Sequence, residues 1–476
     1  MSINNFQEFY NLIPIMLIGL TIIASVVIEL YFKNSKEILP WFSILAFVAS
    51  GAHAIANVYA KQYLFGGMIE VGGIVNIFFF IFTFGAALLT LLSIDYIKKY
   101  GTYFGEYYIL LQSSVLGMML MACAKDLLVI FLGLEIMSVC FYALAGMNRS
   151  RLKAVEASLK YFLLGAFTTG FIVYGIALIY GAAQTTSIDG IVEKLPYLSK
   201  NLLFLTGLLL FIIGFSFKIA AFPFHMWVPD VYQGASTTVA GLFSTGGKAG
   251  AFSAIIAAFS LILVKGNFVA FMPYLAVVSL FSMFYGSIVA ISQKNIKRML
   301  AYSSISHAGY IIIGLASANS DGISAIVFYL LSYTFMNLAA FGLVALIEGN
   351  NETNLEISDL SGLGQNKPLL AALMAVAMFS LAGIPPFSGF FSKYYIFIAA
   401  VKADLTWLAV LGVLSSLISV YFYIRIIIIM YFKPAEGSII ITKSNSGLMA
   451  VIIAVICIIV LGIFPGSFLS LITAVF

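Results

Sequence analysis

The stretch FKIAAFPFHMWVPD, residues 217–230, sets one lysine, Lys218, in an otherwise apolar run and places Pro223 five residues after it. A charge at bilayer depth is expensive, and a proline inside a helix removes a backbone hydrogen bond. Freed backbone groups at that depth are tolerated only where protein buries them or where they line a water-filled cavity. Lys218 needs that same cavity. The stretch therefore reads as a broken membrane span with one hydrated site that offsets both costs.

The rest of the chain agrees with a membrane setting. Its 476 residues are 62% hydrophobic and only 9% charged, with a mean hydropathy of +1.08. Soluble domains are nearer half apolar and a quarter charged. Apolar runs of about 20 residues, each long enough to cross a bilayer, recur from end to end. The fold class expected is an all-α polytopic membrane protein, a single transmembrane domain over 1–476. Fourteen spans are placed near 11–32, 38–60, 73–94, 107–124, 126–147, 156–181, 202–228, 235–263, 268–292, 298–316, 322–347, 369–401, 405–432 and 447–472. The seventh is broken at Pro223 and the twelfth at Gly383-Ile384-Pro385-Pro386. Each break falls in the fourth span of a five-span group, which suggests two repeats, 107–265 and 268–432. Five is odd, so consecutive groups have opposite orientations. That is the plan of inverted-repeat transporters, whose broken helices mark the working site near the midplane.

Several functions are excluded by what the chain lacks. Cys123, Cys140 and Cys457 are scattered and read as small apolar fillers, unable to build an iron–sulfur or zinc site. Neither a GxGxxG-plus-acidic unit nor a Walker A signature occurs, so no nucleotide site is expected. The net charge of +5 suits loops facing an anionic leaflet and not nucleic acid. The N-terminal MSINNFQEFY has no basic n-region, so the first apolar run reads as a retained span. Loops opposite the termini carry thirteen Lys and Arg, among them Lys98, Lys99, Arg149, Arg151, Lys153, Lys294, Lys297, Arg298 and Lys443. Loops on the side of the termini carry six: Lys61, Lys125, Lys194, Lys200, Lys265 and Lys402. The positive-inside rule then puts both termini outside the cytoplasm, in a bacterial inner (plasma) membrane.

Four charges lie far from any expected helix end: Glu135 in LLVIFLGLEIMSVCFYALAG, Lys218, Lys248 in VAGLFSTGGKAGAFSAII, and Lys393 in FSGFFSKYYIF. Snorkelling or a structural ion pair is the plainer reading of a membrane charge. It suits Lys160 and Arg425, but a Glu–Lys pair leaves an excess of lysine unexplained. A lysine in a weakly hydrated cavity is poised between two protonation states, and shifting a counter-charge by a few ångströms tips it. Small and hydroxylic residues, Ser244-Thr245-Gly246-Gly247 and Ser303-Ser304-Ile305-Ser306, suit water access or simply close helix approach. His307 and His225 are candidate relays or neutral hydrogen-bond partners. His53 has no charged neighbour in its span and reads as structural. Lys218, Lys248 and Lys393 together suggest one lateral proton path.

The segments GLEIMSVCFYALAG (133–146), VEASLKYFLLGAF (155–167), FKIAAFPFHMWVPDVYQGA (217–235), GGKAG (246–250), KRMLAYSSISHAGY (297–310) and LAGIPPFSGFFSKYYIF (381–397) resemble the subunit N family of respiratory complex I, the proton-translocating NADH–quinone oxidoreductase. The resemblance covers nearly the whole chain, within a wider antiporter-like family that shares the broken spans. It implies a fourteen-span fold in which Glu135 pairs with Lys218, Lys248 connects, and Lys393 leads toward the exit. A lysine at 393 looks like subunit N, where subunit M has a glutamate; subunit L would add a long C-terminal extension. Gln233 and Ser236 depart from the family's usual acidic residue and proline, which puts a charge role at 233 in doubt. The resemblance further implies a translocase subunit with no redox cofactor of its own. Quinone and electron donor would be handled by other subunits, and its partners would be other membrane-arm subunits and the lipid bilayer. The alternatives are a subunit of a multisubunit cation/proton antiporter and a scaffold that has lost its pumping role. Retention of all four central charges argues against the scaffold.

Overall fold

The computed structural model describes residues 3–100, 104–265, 271–349, 353–435 and 444–476, without the side chains of 3–7 and 260–265. Lys443 and the side chain of Lys265, both used to orient the chain, lie outside the described residues, as do 268–270 of the second repeat. Among the described residues, twelve helices are long and apolar enough to cross a membrane. The shorter apolar helices Leu202–Lys218 and Pro368–Ala382 begin the two broken spans. Twelve and two make the expected fourteen.

The first three spans are Ile3–Tyr31, Ser35–Ala56 and Gly73–Lys99. Spans four to eight are Glu106–Cys123, Leu127–Ala145, Leu152–Ala183, the broken seventh, and an eighth over Thr237–Lys265. Spans nine to thirteen are Met272–Ile291, Ile296–Ala316, Ser320–Ile347, the broken twelfth and Thr406–Phe432. The two groups thus follow one order: a close helix pair, a longer helix, a broken helix, then another long one. The fourteenth span, Asn445–Ile463, is shorter than the sequence reading of 447–472, because Pro465 starts a separate helix, Pro465–Ala474. Pro465 fits at a first helical position, where its missing N–H is not needed.

Side-chain caps set several starts. Asp126, Asn201, Asn295 and Asn319 each accept a backbone N–H from the first turn of the fifth, seventh, tenth and eleventh spans. Apolar helices gain little from hiding apolar surface in lipid, so close packing holds them together. An added Cβ at Gly117 would lie 2.6 Å from the Gly133 carbonyl oxygen, and one at Gly133 2.7 Å from that of Gly117. Only glycine lets the fourth and fifth spans approach so closely. Every residue from Gly322 to Ile347 of the eleventh span is buried, which makes that helix the axis of the molecule.

Three features depart from the sequence reading. A small antiparallel hairpin, Gln62–Leu64 with Ile69–Val71, stands between the second and third spans. Its three-residue strands are too short to show alternation, and Glu70 pins it by accepting from Lys61 (3.0 Å) and Lys125 (2.7 Å). In the seventh span the helix stops at Lys218 and resumes at Trp227–Gly234, so the break opens ahead of Pro223. A proline shows where a helix cannot continue, not where it ends. Protein groups satisfy the break: the Trp227 indole donates to the Phe217 carbonyl at 3.0 Å, and the Phe222 N–H to Ser282 at 2.9 Å. Finally, the eighth span carries a π-helical turn, Phe243–Gly247, directly ahead of Lys248.

Candidate functional site

The break of the seventh span puts Lys218 in the last helical turn, with its side chain buried. Its ammonium donates to Ser138 Oγ at 2.8 Å and Tyr142 OH at 3.2 Å, both on the fifth span. Glu135 lies three residues before Ser138 on that helix and is half-buried, accepting from Thr169 Oγ1 at 2.9 Å. The two charges feel each other but do not touch: among the described residues no ion pair joins them. Lys218 therefore rests on the Ser138 and Tyr142 hydroxyls, while Glu135 is held by Thr169.

Lys248 follows the π turn and is almost fully enclosed. Its ammonium donates to the carbonyl oxygen and the hydroxyl of Ser304 on the tenth span, the latter at 2.6 Å. The Tyr333 ring lies 5.4 Å from it. One turn further along the tenth span, His307 is held between two hydroxyls, with Tyr329 2.7 Å from Nδ1 and Tyr423 3.0 Å from Nε2. Tyr423 also bonds Ser303. His307 is within Coulombic reach of both Lys248 and Lys393.

Lys393 reaches back across the break of the twelfth span. Gly383, with φ of 87°, ends Pro368–Ala382, and the helix restarts at Ser388. The last carbonyls of the first half have no helical partner. Lys393 supplies one, donating to Ala382 O at 2.9 Å and Leu381 O at 3.3 Å, and also to Ser416 Oγ at 2.8 Å. The Tyr310 ring stands 5.0 Å away. Its hydroxyl donates to Ser415 at 3.3 Å, and Ser415 bonds Ser287, which bonds Ser306. From Lys248 to Lys393, then, buried hydroxyls and one imidazole fill the space. Each hydroxyl can donate and accept at once, and the imidazole can do both in its neutral form.

The space between Lys218 and Lys248 is different. Tyr161 stacks on Trp227 at 4.4 Å and meets Phe243 at 5.5 Å, while Phe141 meets Phe243 at 4.7 Å. The block runs from Tyr142, which accepts from Lys218 and lies 4.9 Å from Tyr161, to Phe243, five residues before Lys248.

Not every candidate joins the cluster. His225 is buried between Phe222 (5.5 Å) and Tyr285 (4.5 Å), and its Nδ1 has no hydrogen-bond partner among the described residues. His53 packs on the Tyr10 ring at 4.8 Å. Arg425 donates to the Ile291 carbonyl at 3.0 Å, closing the end of the ninth span. Lys160 does not merely snorkel: it pairs with Asp230, which Arg298 also holds at 2.7 Å. Gln233 accepts from the same guanidinium at 3.0 Å, a neutral part in an ionic group. Asp230 was missed in the sequence because its partners are 70 and 68 residues away. The Tyr329 and Tyr423 hydroxyls were missed for the same reason, as tyrosines in apolar spans read as packing.

Two broken helices that each hold a buried lysine, with hydroxyls and an imidazole between Lys248 and Lys393, define an antiporter-like membrane subunit. Residues 124–419 match the family described as NADH:quinone oxidoreductase/Mrp antiporter, TM, and the chain belongs to that family. It is 42% identical over 431 residues to the Chloroherpeton thalassium protein named NADH-quinone oxidoreductase subunit N 1, covering 90% of each chain. It is also 42% identical over 444 residues to NADH-quinone oxidoreductase subunit N of Trichlorobacter lovleyi, covering 92% of this chain and 91% of that one. A chain of respiratory complex I from Thermus thermophilus superposes with a TM-score of 0.83 at 30% identity, over 96% of this chain and 98% of that one. A chain of the Mrp complex from Dietzia sp. DQ12-45-1b shares the fold, with a TM-score of 0.86 at 20% identity over 98% and 96% of the two chains.

Proposed function

We propose that this chain is the N-type proton-translocating subunit in the membrane arm of an NADH (or other donor)–quinone oxidoreductase. One observation carries the reading: Lys218, Lys248 and Lys393 are each buried against hydroxyl or carbonyl oxygens and not against carboxylates. A lysine so held can lose and regain a proton without leaving an orphaned buried acid. Donor oxidation and quinone reduction would occur in other subunits, and this chain would carry protons in response. Among the described residues no group of His, Cys, Asp and Glu could hold a metal ion. The higher identity to subunit N relatives than to the Mrp chain favours this reading over a cation/proton antiporter subunit. Affinity purification from the native membrane tests it. Co-purifying iron–sulfur and quinone-site subunits are expected; antiporter subunits alone would overturn it.

The repeats 107–265 and 268–432 would carry the two broken helices in opposite orientations. Glu135 would act as the movable counter-charge of Lys218. A unit charge a few ångströms away is worth roughly 2–4 kcal/mol at an effective dielectric near 20. Glu135→Ala should therefore lower coupled quinone reduction about tenfold or more with the complex still assembled. Near-normal pumping in vesicles containing the Glu135→Ala complex would remove that role.

The chain is a multi-pass protein of the inner membrane, and its basic loops would face the cytoplasm. Ser150 is exposed between Arg149 and Arg151, and Ser199 lies in the connection at the other end of the sixth span. In intact cells a membrane-impermeant thiol reagent should label Ser199→Cys and spare Ser150→Cys. The reverse pattern would invert the topology.

A further inference from the structure

One buried acid takes no part in the lysine chain. Glu348 follows Ile347 at the end of the eleventh span and is 1% exposed. Its Oε2 accepts from Tyr96 OH of the third span at 3.0 Å and from Thr237 Oγ1, the first residue of the eighth, at 2.6 Å. The Thr237 backbone N–H in turn donates to the Tyr96 hydroxyl at 2.9 Å. Oε1 has no hydrogen-bond partner among the described residues. With both donors on one oxygen, the other is placed to carry a proton.

The acid lies at the Arg149-loop end of the molecule. A narrow cleft of about 10 Å³, room for about one water, is lined by Asp95, Tyr96, Lys99, Ala345 and Ser444 among others, of which Tyr96 and Lys99 touch Glu348. Lys99 donates to the Glu348 carbonyl oxygen at 2.7 Å, and Tyr100 to that of Gly349 at 2.8 Å. Among the described residues, the titratable groups beside it are Asp95, Tyr96 and Lys99 of the third span and Tyr100 just past its end, and Arg151 covers the Tyr100 ring at 4.7 Å. From the eighth span the neutral Thr237 reaches the carboxylate.

Inward from Glu348, two helix stripes face each other. On the eleventh span, Tyr333, Asn337, Phe341, Ala345 and Glu348 recur at helical spacing. On the eighth, Thr237, Gly241 and Ser244 do the same, and Lys248 follows across the π turn. They meet rung by rung. Thr237 binds Glu348, and a Cβ on Gly241 would lie 3.3 Å from that of Phe341. Ser244 donates to Asn337 Oδ1 at 3.0 Å, and Lys248 lies 5.4 Å from the Tyr333 ring. At 1.5 Å per residue the stripe from Glu348 to Tyr333 is roughly 22 Å long. Phe341 is the one bulky apolar side chain in it.

We propose that Glu348 is the proton-loading carboxylate for Lys248, with Phe341 as the barrier in the seam between them. This rests on the proton-translocating reading above. A proton from water in the cleft binds Oε1 to give the acid. It then passes along the seam to the neutral amine of Lys248, which restores the carboxylate and forms the ammonium; no electron moves.

The test uses the assembled complex in vesicles, with donor-to-artificial-acceptor activity as the check on assembly. Glu348→Gln keeps the shape and the Tyr96 and Thr237 contacts but cannot titrate. Pumping should fall at least tenfold, while Glu348→Asp keeps a third or more. Lys248→Met, measured alongside, should also fail. Redox-triggered infrared difference spectra should show a carboxyl band in the wild type that shifts in Glu348→Asp and is lost in Glu348→Gln. Normal pumping in Glu348→Gln with Lys248→Met inactive would overturn the role of Glu348 alone. Normal pumping in both would overturn the underlying path as well. Equal failure of the Gln and Asp variants, or a carboxyl band untouched by either, would mean that Glu348 only packs. Should the Gln variant not assemble, the Asp spectrum and pumping decide.

Discussion

Lys248→Met in the assembled complex should abolish proton uptake and slow coupled quinone reduction together, by roughly a hundredfold on the scale of lost acid–base groups. The side chain is buried and its partners are the carbonyl and hydroxyl of one residue, Ser304. Both are neutral, so the methionine strands no counter-charge, and its length preserves most of the packing. What disappears is the one titratable nitrogen at that point of the eighth span. Electron transfer coupled to proton movement should then stall, because the charge has nowhere to go. Lys248→Arg should be nearly as poor, since a guanidinium does not release its proton at any usable pH. Proton uptake per electron in vesicles is the measurement. Full stoichiometry in Lys248→Met would mean that no proton passes through this residue.

The second large effect is expected at Lys393, where two roles can be separated. Its ammonium would hold a transferable proton, and it satisfies the Leu381 and Ala382 carbonyls that the helix break leaves open. Leaving a buried acceptor without a donor costs about 1–3 kcal/mol. Lys393→Met should therefore lose pumping and also lower the yield of assembled complex. Lys393→Gln retains an N–H donor, so its yield should recover toward normal while pumping stays absent. Pumping by the Gln variant at wild-type stoichiometry would leave Lys393 with a purely structural part. Equal yields for the two variants would show that the carbonyls do not depend on it.

Much of this arrangement was legible in the sequence because lipid constrains a chain so strongly. Runs such as 73–94 or 322–347 admit only a helix, and Lys218 or Lys248 within such runs had to find a polar pocket. The glycine and two prolines at 383–386 likewise placed the twelfth break within a residue or two, since Gly383 adopts the left-handed conformation that ends a helix. What stayed hidden were partnerships between distant residues. Nothing in the order of residues ties Tyr423 to His307, or Glu348 to Thr237, because such pairs depend on how the helices cross. The Ser138 and Tyr142 hydroxyls that hold Lys218, and the Thr169 hydroxyl on Glu135, were hidden for the same reason.

The π turn at Phe243–Gly247 also has a geometric consequence. An α-helix advances 3.6 residues per turn, so one extra residue in a turn offsets everything beyond it by about 100°. Thr237 and Lys248 therefore belong to two screws of different phase within a single rod. Moving the wide turn by one hydrogen bond toward either end would carry the affected residues around by that angle and along by about 1.5 Å. The lysine at the junction has a choice of bearing, and the rod can reset it without bending.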